Sequence, residues 1–211
     1  MKLSVSYLQS YYSKEKTVKL ISNTSADYIH VDLRDGGFVP KRNFTVDEVL
    51  ILHKNHTLPL DIHLMVFDPI IYIEELAKLK PDFITFHIEA TKDIVKTIEL
   101  IKRNNIKVGL AINLETNLLE LMPYLSLIDL VLIMSIETGE GGRPFIPESA
   151  NRIKEIKRIR EENNLNFKIE VDGGVNIETI DLVRDVDIAV VGSYICKSTN
   201  FEDKIKSLNI K

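Results

Sequence analysis

Eight short apolar runs alternate along this chain with eight longer segments in which apolar residues recur at helical spacing. We interpret the short runs as strands over residues 3–8, 28–34, 59–66, 82–89, 107–113, 130–137, 167–174 and 188–195. We interpret the longer segments as helices over residues 14–23, 46–55, 70–80, 92–105, 117–126, 147–163, 177–185 and 201–208. Thr45 precedes the second of these helices, Pro147 opens the sixth, and Asn104-Asn105 ends the fourth.

Strands that alternate with helices predict a parallel sheet joined by right-handed crossovers. Closing such a sheet leaves no open edge, so the sequence predicts an α/β fold, a single (β/α)8 TIM barrel over residues 1–211. A doubly wound open sheet is the alternative. In a barrel, the chemistry lies at the C-terminal ends of the strands, and the loops after strands seven and eight hold phosphate.

Composition argues against several kinds of partner and location. A formal net charge of −4 offers no basic face for nucleic acid. No window approaches the length of about 20 apolar residues that a membrane helix needs. The N-terminal residues lack the pattern of a secretory signal. The lone cysteine, Cys196, has no partner for an internal disulfide, which fits a reducing cytoplasm, and we interpret it as a small buried hydrophobe.

Acidic and imidazole side chains recur near the C-terminal ends of three predicted strands. Because strand residues alternate between faces, His30, Asp32 and Arg34 share one face of the second strand. His63 lies on the third strand and Asp172 on the seventh. Charged groups inside a barrel are costly unless they pair or bind a metal. Imidazole and carboxylate ligands suit Zn²⁺, Mn²⁺ or Fe²⁺, so the pattern predicts a metal site at His30, Asp32, His63 and Asp172.

Two further patterns bear on this site. His87 and Glu89 share a face of the fourth strand, where they either orient the metal ligands or form a buried pair that supports the barrel. Glycines follow each of the last three strands, and glycine lets backbone N–H groups approach a phosphate closely. These stretches, which we predict to contact the substrate, are Gly139-Glu140-Gly141-Gly142-Arg143, Asp172-Gly173-Gly174 and Gly192-Ser193.

Over essentially its whole length the chain resembles the ribulose-phosphate 3-epimerases and the related allulose-6-phosphate epimerases. The resemblance is carried by HVDLRDGGFVP (30–40), DIHLMV (61–66), HIEA (87–90), LVLIMSIETGEGGRPFIP (130–147) and IEVDGGV (169–175). It implies a barrel of the ribulose-phosphate-binding type, an epimerase activity on a phosphorylated ketose, and one divalent metal ion. Zn²⁺ is the first expectation for that ion, with Fe, Mn or Co as alternatives.

The resemblance also implies individual roles. Asp32 and Asp172 match the family's acid and base, and with His30 and His63 they match its metal ligands. An acid and a base on opposite faces of the substrate suit epimerisation, because a proton leaves the carbon beside the carbonyl from one face and returns to the other. Ser4 matches a serine that contacts the substrate, and Met65 and Met134 match methionines near the metal. The backbone that binds phosphate is matched by Gly142, Gly174, Gly192 and Ser193. We expect His63, Met65 and Met134 to contact the substrate as well. Family members commonly assemble as dimers or hexamers, which implies a homo-oligomer.

Several positions depart from the family's usual residues. Arg34 stands where Met is usual, and Gly37 replaces a histidine. A permanent cation at position 34 would repel a metal unless it pairs with Asp35, Glu137 or another acid, or instead contacts the substrate. Residues 41–45 lack the usual pattern, and residues 137–140 replace Asn-Pro-Gly-Phe. Near a phosphate, Glu140 would be repulsive and Arg143 attractive.

The favoured function is the interconversion of D-ribulose 5-phosphate and D-xylulose 5-phosphate. The substitutions in the loops leave open another ketose phosphate, such as D-allulose 6-phosphate. A catalytically silent barrel that binds a sugar phosphate is a third reading, disfavoured because a binding module needs neither carboxylate. A relative of the phosphosugar decarboxylases is disfavoured because no lysine stands among the acids at the strand ends.

Overall fold

In the computed structural model, which describes residues 1–42, 49, 54 and 56–210, eight parallel strands close into a barrel in chain order. The first strand pairs with both the second and the eighth, so the predicted closed barrel is confirmed and the open-sheet alternative is excluded. The strands are β1 Lys2–Ser6, β2 Tyr28–Arg34, β3 Leu60–Met65, β4 Phe83–His87, β5 Lys107–Ile112, β6 Leu130–Met134, β7 Lys168–Asp172 and β8 Ile188–Val191.

Helices and short 3₁₀ segments connect the strands. Within the described ranges, the helices with defined bounds are α1 Lys14–Ser22, α2 Ile70–Ala77, α3 Ile94–Arg103, α4 Ser149–Glu162, α5 Ser193–Cys196 and α6 Phe201–Ser207. The 3₁₀ segments are Ile88–Ala90, Leu118–Tyr124 and Ile180–Val183. In the described part of the chain, none of the helices has the length and apolar character needed to cross a membrane.

Three of the sequence predictions need correction. The helices predicted over 117–126 and 177–185 are 3₁₀ segments, and the first contains Pro123, whose missing N–H interrupts α-helical hydrogen bonding. The strand predicted over 188–195 ends at Val191, because α5 begins directly after Gly192. The helix predicted over 46–55 and its start at Thr45 lie outside the described residues, except for positions 49 and 54.

Helix boundaries agree better where the sequence carries strong signals. Helix α3 ends at Arg103, and Asn105 adopts a positive φ of 58°, which asparagine tolerates better than most residues. Helix α4 begins two residues after Pro147, whose ring fixes a backbone angle suited to a helix start. The polar sequence of Asn104-Asn105 and the ring of Pro147 therefore limit these two helices as predicted.

The packing separates an apolar shell from a mixed interior. The larger apolar cluster includes Val31 and Ile62, which lie on the outward face of the strands and pack towards the helices. A second cluster is formed by residues of several strands. It includes Tyr28, which shares a face of β2 with His30, and Phe83 of β4, and the ring centroids of these two residues are 6.0 Å apart. The barrel interior is therefore mixed, because buried charged side chains such as Asp61 and Glu170 share it with these apolar residues.

Candidate metal centre and active site

Four side chains from three strands meet at one end of the barrel. His30 and Asp32 come from β2, His63 from β3 and Asp172 from β7. One potential ligand atom from each lies within 4.8 Å of the others. Asp32 and His63 are register partners on neighbouring strands, which places Asp32 Oδ1 3.3 Å from His63 Nδ1. The same carboxylate oxygen lies 3.4 Å from His30 Nε2.

The nitrogens that face this point fit a cation. His30 Nε2 and His63 Nδ1 are buried and have no hydrogen-bond partner among the residues that the structure describes. Buried polar atoms are normally satisfied, so two such nitrogens facing two carboxylates fit a site for a cation. Asp172 Oδ2 completes the group at 4.0 Å from His30 Nε2 and 3.7 Å from His63 Nδ1. Two imidazoles and two carboxylates form a donor set that suits a divalent transition metal or zinc.

Each imidazole has a different partner on its far side. His30 Nδ1 lies 2.7 Å from Asp61 Oδ2, which also accepts a hydrogen bond from Ser4 Oγ at 2.7 Å. His63 Nε2 lies 2.9 Å from the Nε2 atom of His87. All of these side chains are buried. The arrangement leaves His30 Nε2 and His63 Nδ1 as the nitrogens that could bind an ion.

The charged groups of the cluster shift one another's pKa values. Burial lowers the pKa of His30, but the carboxylates of Asp61 and Asp32 outweigh it and raise that pKa well above 6.5. Burial raises the pKa of Asp32, but His30 and His63 hold it well below its usual range. Burial and the charge of Asp32 raise the pKa of Asp172 to about 7. The site therefore favours positive charge at its centre, which a bound divalent cation would supply.

A cavity of about 550 Å³ opens above the four residues. Asp32 and Asp172 reach it, and the loops after β6, β7 and β8 form much of its wall. Of the residues predicted to contact substrate, those that line the cavity are Met65, Met134, Gly139, Gly141, Gly142, Arg143, Gly173, Gly174, Gly192 and Ser193.

Two predicted substrate contacts lie elsewhere. His63 belongs to the buried cluster beneath the cavity. Ser4 is fully buried and donates to Asp61, so its predicted substrate contact is corrected in favour of Ser6, which lines the cavity. Ser6 Oγ also donates to Asp32 Oδ2 at 2.8 Å. Strand alternation places both serines on the same face of β1. Ser6 lies at the C-terminal end of that strand, where barrel active sites are found, and this position was the signal that favoured Ser6 over Ser4.

Arg34 contacts the loop after β6. Its Nη1 atom donates to the carbonyl oxygen of Gly139 at 2.7 Å. Burial lowers the pKa of Arg34, and Asp32 and Glu140 oppose that shift. Asp35, one of the predicted acid partners, instead accepts backbone hydrogen bonds from Gly37, Phe38 and Phe67. Arg34 therefore joins the end of β2 to the cavity wall.

Glu140 is neutralised by two cations of the surrounding loops. Its carboxylate lies 3.2 Å from Lys41 Nζ and 3.0 Å from Arg143 Nη2. These two contacts, Lys41 first, lower the pKa of Glu140. Because the acid is paired on both sides, the repulsion of a phosphate predicted for Glu140 is reduced. The same ion pair offsets part of the positive charge that Arg143 could offer to a phosphate.

The turn after β7 requires glycine. Gly174 has a φ of +65°, and an added Cβ would lie 2.3 Å from the backbone nitrogen of Phe145. Gly173 has a φ of +122°, and an added Cβ would lie 2.5 Å from Ile136 Cγ1. Both positions therefore allow the loops after β6 and β7 to approach closely, which shapes the cavity wall next to Asp172.

A closed (β/α)8 barrel with this polar cluster at its strand ends defines a barrel enzyme with a candidate divalent-metal centre. The model of the ribulose-phosphate 3 epimerase family matches residues 2–196, and the chain belongs to that family. It is 38% identical to ribulose-phosphate 3-epimerase of Buchnera aphidicola subsp. Schizaphis graminum over 202 residues, which cover 93% of this chain and 87% of the relative. The Escherichia coli K12 ribulose-phosphate 3-epimerase is 33% identical over 92% of this chain and 87% of its own.

Solved structures at lower identity share the fold. KGPDC from Streptococcus mutans has a TM-score of 0.70 and 15% identity, and the match covers 99% of this chain and 95% of that chain. A 3-hexulose-6-phosphate synthase has a TM-score of 0.67 and 18% identity, with 99% of this chain and 98% of that chain covered. At these identities the similarity supports the barrel architecture alone.

Proposed function

We propose that this chain catalyses the interconversion of D-ribulose 5-phosphate and D-xylulose 5-phosphate. The observation that carries the proposal is the convergence of Asp32 and Asp172, which come from non-adjacent strands, on one cavity above two buried imidazoles. Epimerisation at a carbon beside a carbonyl needs one group that removes a proton and a second that returns a proton to the opposite face. Two carboxyl groups on the same cavity provide that pair, as the family membership leads us to expect.

The residues around the two acids orient them for this task. Ser6 Oγ donates to Asp32 Oδ2, which fixes the carboxylate while its Oδ1 atom faces the imidazoles. Asp172 lies at the end of β7, and its side chain is 17% exposed, so one edge remains open to the cavity. A divalent cation bound by the cluster would stabilise the negative charge that develops on the substrate oxygens when the proton leaves.

The far end of the cavity suits the phosphate group of a ketose phosphate. Gly174 and Gly192 belong to the loops after β7 and β8, the usual phosphate region of such barrels, and Gly142 lines the same cavity from the loop after β6. Ser193 begins the short helix α5 beside them, and Lys197 also lines the cavity. In this proposal, backbone N–H groups of these loops hold the phosphate while the reacting carbon lies between Asp32 and Asp172.

The finer expectations about the cofactor, assembly and location belong to the same proposal. Zn²⁺ is the first candidate for the resident ion, because two imidazoles and two carboxylates match its ligand preferences, and Fe²⁺, Mn²⁺ and Co²⁺ share them in part. Metal analysis of the purified protein distinguishes these ions. The family resemblance supports a homo-oligomer, which sedimentation would test. The single cysteine, Cys196, fits a reducing cytoplasm, and cell fractionation would test that location.

Turnover of two substrates tests the proposed reaction. We expect the purified enzyme to epimerise D-ribulose 5-phosphate faster than D-allulose 6-phosphate and, in heavy water, to exchange deuterium into the reacting carbon. Asp172→Asn should lower kcat by about 100-fold or more, because loss of an acid–base group typically removes a factor of about 10²–10⁴. The exposed change Asp181→Asn is a matched control that should leave kcat unchanged. Binding of the sugar phosphate without turnover or exchange would contradict the proposal and indicate a silent barrel.

A further inference from the structure

A line of polar side chains leads from His63 to the loop after β5. His63 Nε2 lies 2.9 Å from His87 Nε2, and His87 Nδ1 lies 3.3 Å from Glu89 Oε2. Both His87 Nδ1 and Glu89 Oε2 are buried atoms, and in the described part of the chain neither has another hydrogen-bond partner. The two imidazole rings are fully buried, with centroids 5.0 Å apart and planes inclined by 29°. Each atom on this line therefore faces a single polar neighbour.

The opposite end of the line is anchored. Glu89 Oε1 accepts a hydrogen bond from the backbone N–H of Asn113 at 2.9 Å and another from Thr116 Oγ1 at 2.5 Å. Contacts with His87, Thr116 and Asn113 outweigh burial and lower the pKa of Glu89. The ionised carboxylate therefore offers only acceptor atoms, and Oε2 is the one that remains for His87.

The positions of the protons follow from these partners. An acceptor at Glu89 Oε2 places the proton of His87 on Nδ1, so His87 Nε2 carries a lone pair. That lone pair accepts a hydrogen bond from His63 Nε2–H, which leaves the lone pair of His63 on Nδ1. His63 Nδ1 is the nitrogen that faces Asp32 and Asp172. Glu89 at the far end therefore favours the His63 proton on Nε2, and it competes with Asp32 Oδ1, which lies 3.3 Å from His63 Nδ1 at the near end.

We infer that His87 and Glu89 are positioning residues that fix the tautomer of His63, so that its Nδ1 lone pair points at the metal centre. The inference rests on the proposed metal centre. It assigns to Glu89, which does not line the cavity, control over a ligand two side chains away. Removing a hydrogen-bond partner of a metal-ligating histidine typically lowers metal affinity by about 10–100-fold.

The substitution Glu89→Gln should reverse the direction of the hydrogen bonds between residue 89, His87 and His63. In Glu89→Gln, the amide oxygen must stay next to the Asn113 N–H, because that donor needs an acceptor. The amide NH₂ group then faces His87 Nδ1 and donates to it, which moves the proton of His87 to Nε2. His87 now donates to His63 Nε2, and the proton of His63 moves to Nδ1, where it blocks the metal. We therefore expect this nearly isosteric substitution to weaken metal binding although it changes the side-chain volume very little.

The experiment measures histidine tautomers and metal affinity separately. We would record ¹⁵N spectra of the histidine side chains in the intact protein without metal, and titrate the same protein with Co²⁺ or Zn²⁺ alone. The unaltered chain should carry the His63 proton on Nε2, and Glu89→Gln should carry it on Nδ1 and bind the ion about 10–100-fold more weakly. Glu115→Gln is the matched control, because Glu115 is exposed on the same loop as Thr116.

The outcomes separate the inference from the proposed function. A His63 proton on Nδ1 in the unaltered protein, or an unchanged tautomer and affinity in Glu89→Gln, would overturn the inference. If the unaltered protein binds neither ion, the proposed metal centre fails, while the tautomer spectra still decide the inference. Should Glu89→Gln fail to fold, His87→Phe serves instead: it removes the acceptor for His63 and should weaken metal binding, whereas His87→Gln restores an acceptor oxygen and should recover most of it.

Discussion

Individual residues at the metal centre could be predicted where strand alternation alone decides their direction. His30 and Asp32 are two positions apart on β2, and both point inward. The choice between Ser4 and Ser6 could not be made in this way, because both share the inward face of β1. Which of them reaches the cavity depends on the stagger between neighbouring strands, and the pattern within one strand carries no information about that stagger.

The two serines provide a prediction about single hydrogen bonds. Ser6→Ala removes the donor to Asp32 Oδ2 and should lower kcat/KM about tenfold, since a hydrogen bond to a charged group contributes about 1.5–3 kcal/mol, part of which solvent replaces. Ser4→Ala removes the donor to Asp61, one step further from the reacting atoms. With saturating metal it should change kcat by no more than about twofold. Steady-state kinetics of both variants check this, and equal losses in the two would contradict the assigned positions.

At the scale of elements, the strands and the longer helices followed from hydrophobic periodicity, but the loops did not. Periodicity reports which face of a segment is buried, whereas loop contacts depend on partners that are distant in sequence. Arg34 and Gly139 are 105 residues apart, and their hydrogen bond joins the end of β2 to the loop after β6. Thr138, in the same loop, donates to the side chain of Asn113 after β5. The loop after β6 is therefore held from two sides.

The contact of Arg34 predicts how this loop responds to substitution. Arg34→Met keeps most of the buried volume but removes the donor to the Gly139 carbonyl. We expect the amides of residues 137–143 to exchange hydrogen faster and KM for the phosphosugar to rise about tenfold, with a smaller change in kcat. Arg158→Met, on the exposed face of α4, is the control. Unchanged exchange in 137–143 would show that Arg34 does not hold the loop.

At the scale of the whole molecule, closure of the barrel is what creates the site. His63 and Asp172 are more than a hundred residues apart in sequence, and they meet because β2, β3 and β7 point their C-terminal ends at one opening. The sequence predicted this convergence once eight strand–helix units were recognised, since a closed parallel sheet brings all its C-terminal ends together. The distances between ligand atoms, and the outer line through His87 to Glu89, required the register between strands.

Locating the bound metal ion tests the proposed metal centre most directly. We would collect anomalous diffraction data at the absorption edge of the ion found in the purified protein, or at the zinc edge after loading with Zn²⁺. We expect one strong peak bound by His30 Nε2, His63 Nδ1, Asp32 and Asp172, at the ligand distances of about 2.0–2.2 Å typical of nitrogen and oxygen donors. The absence of a peak among these four side chains, or an ion bound elsewhere in the molecule, would contradict the proposed metal centre.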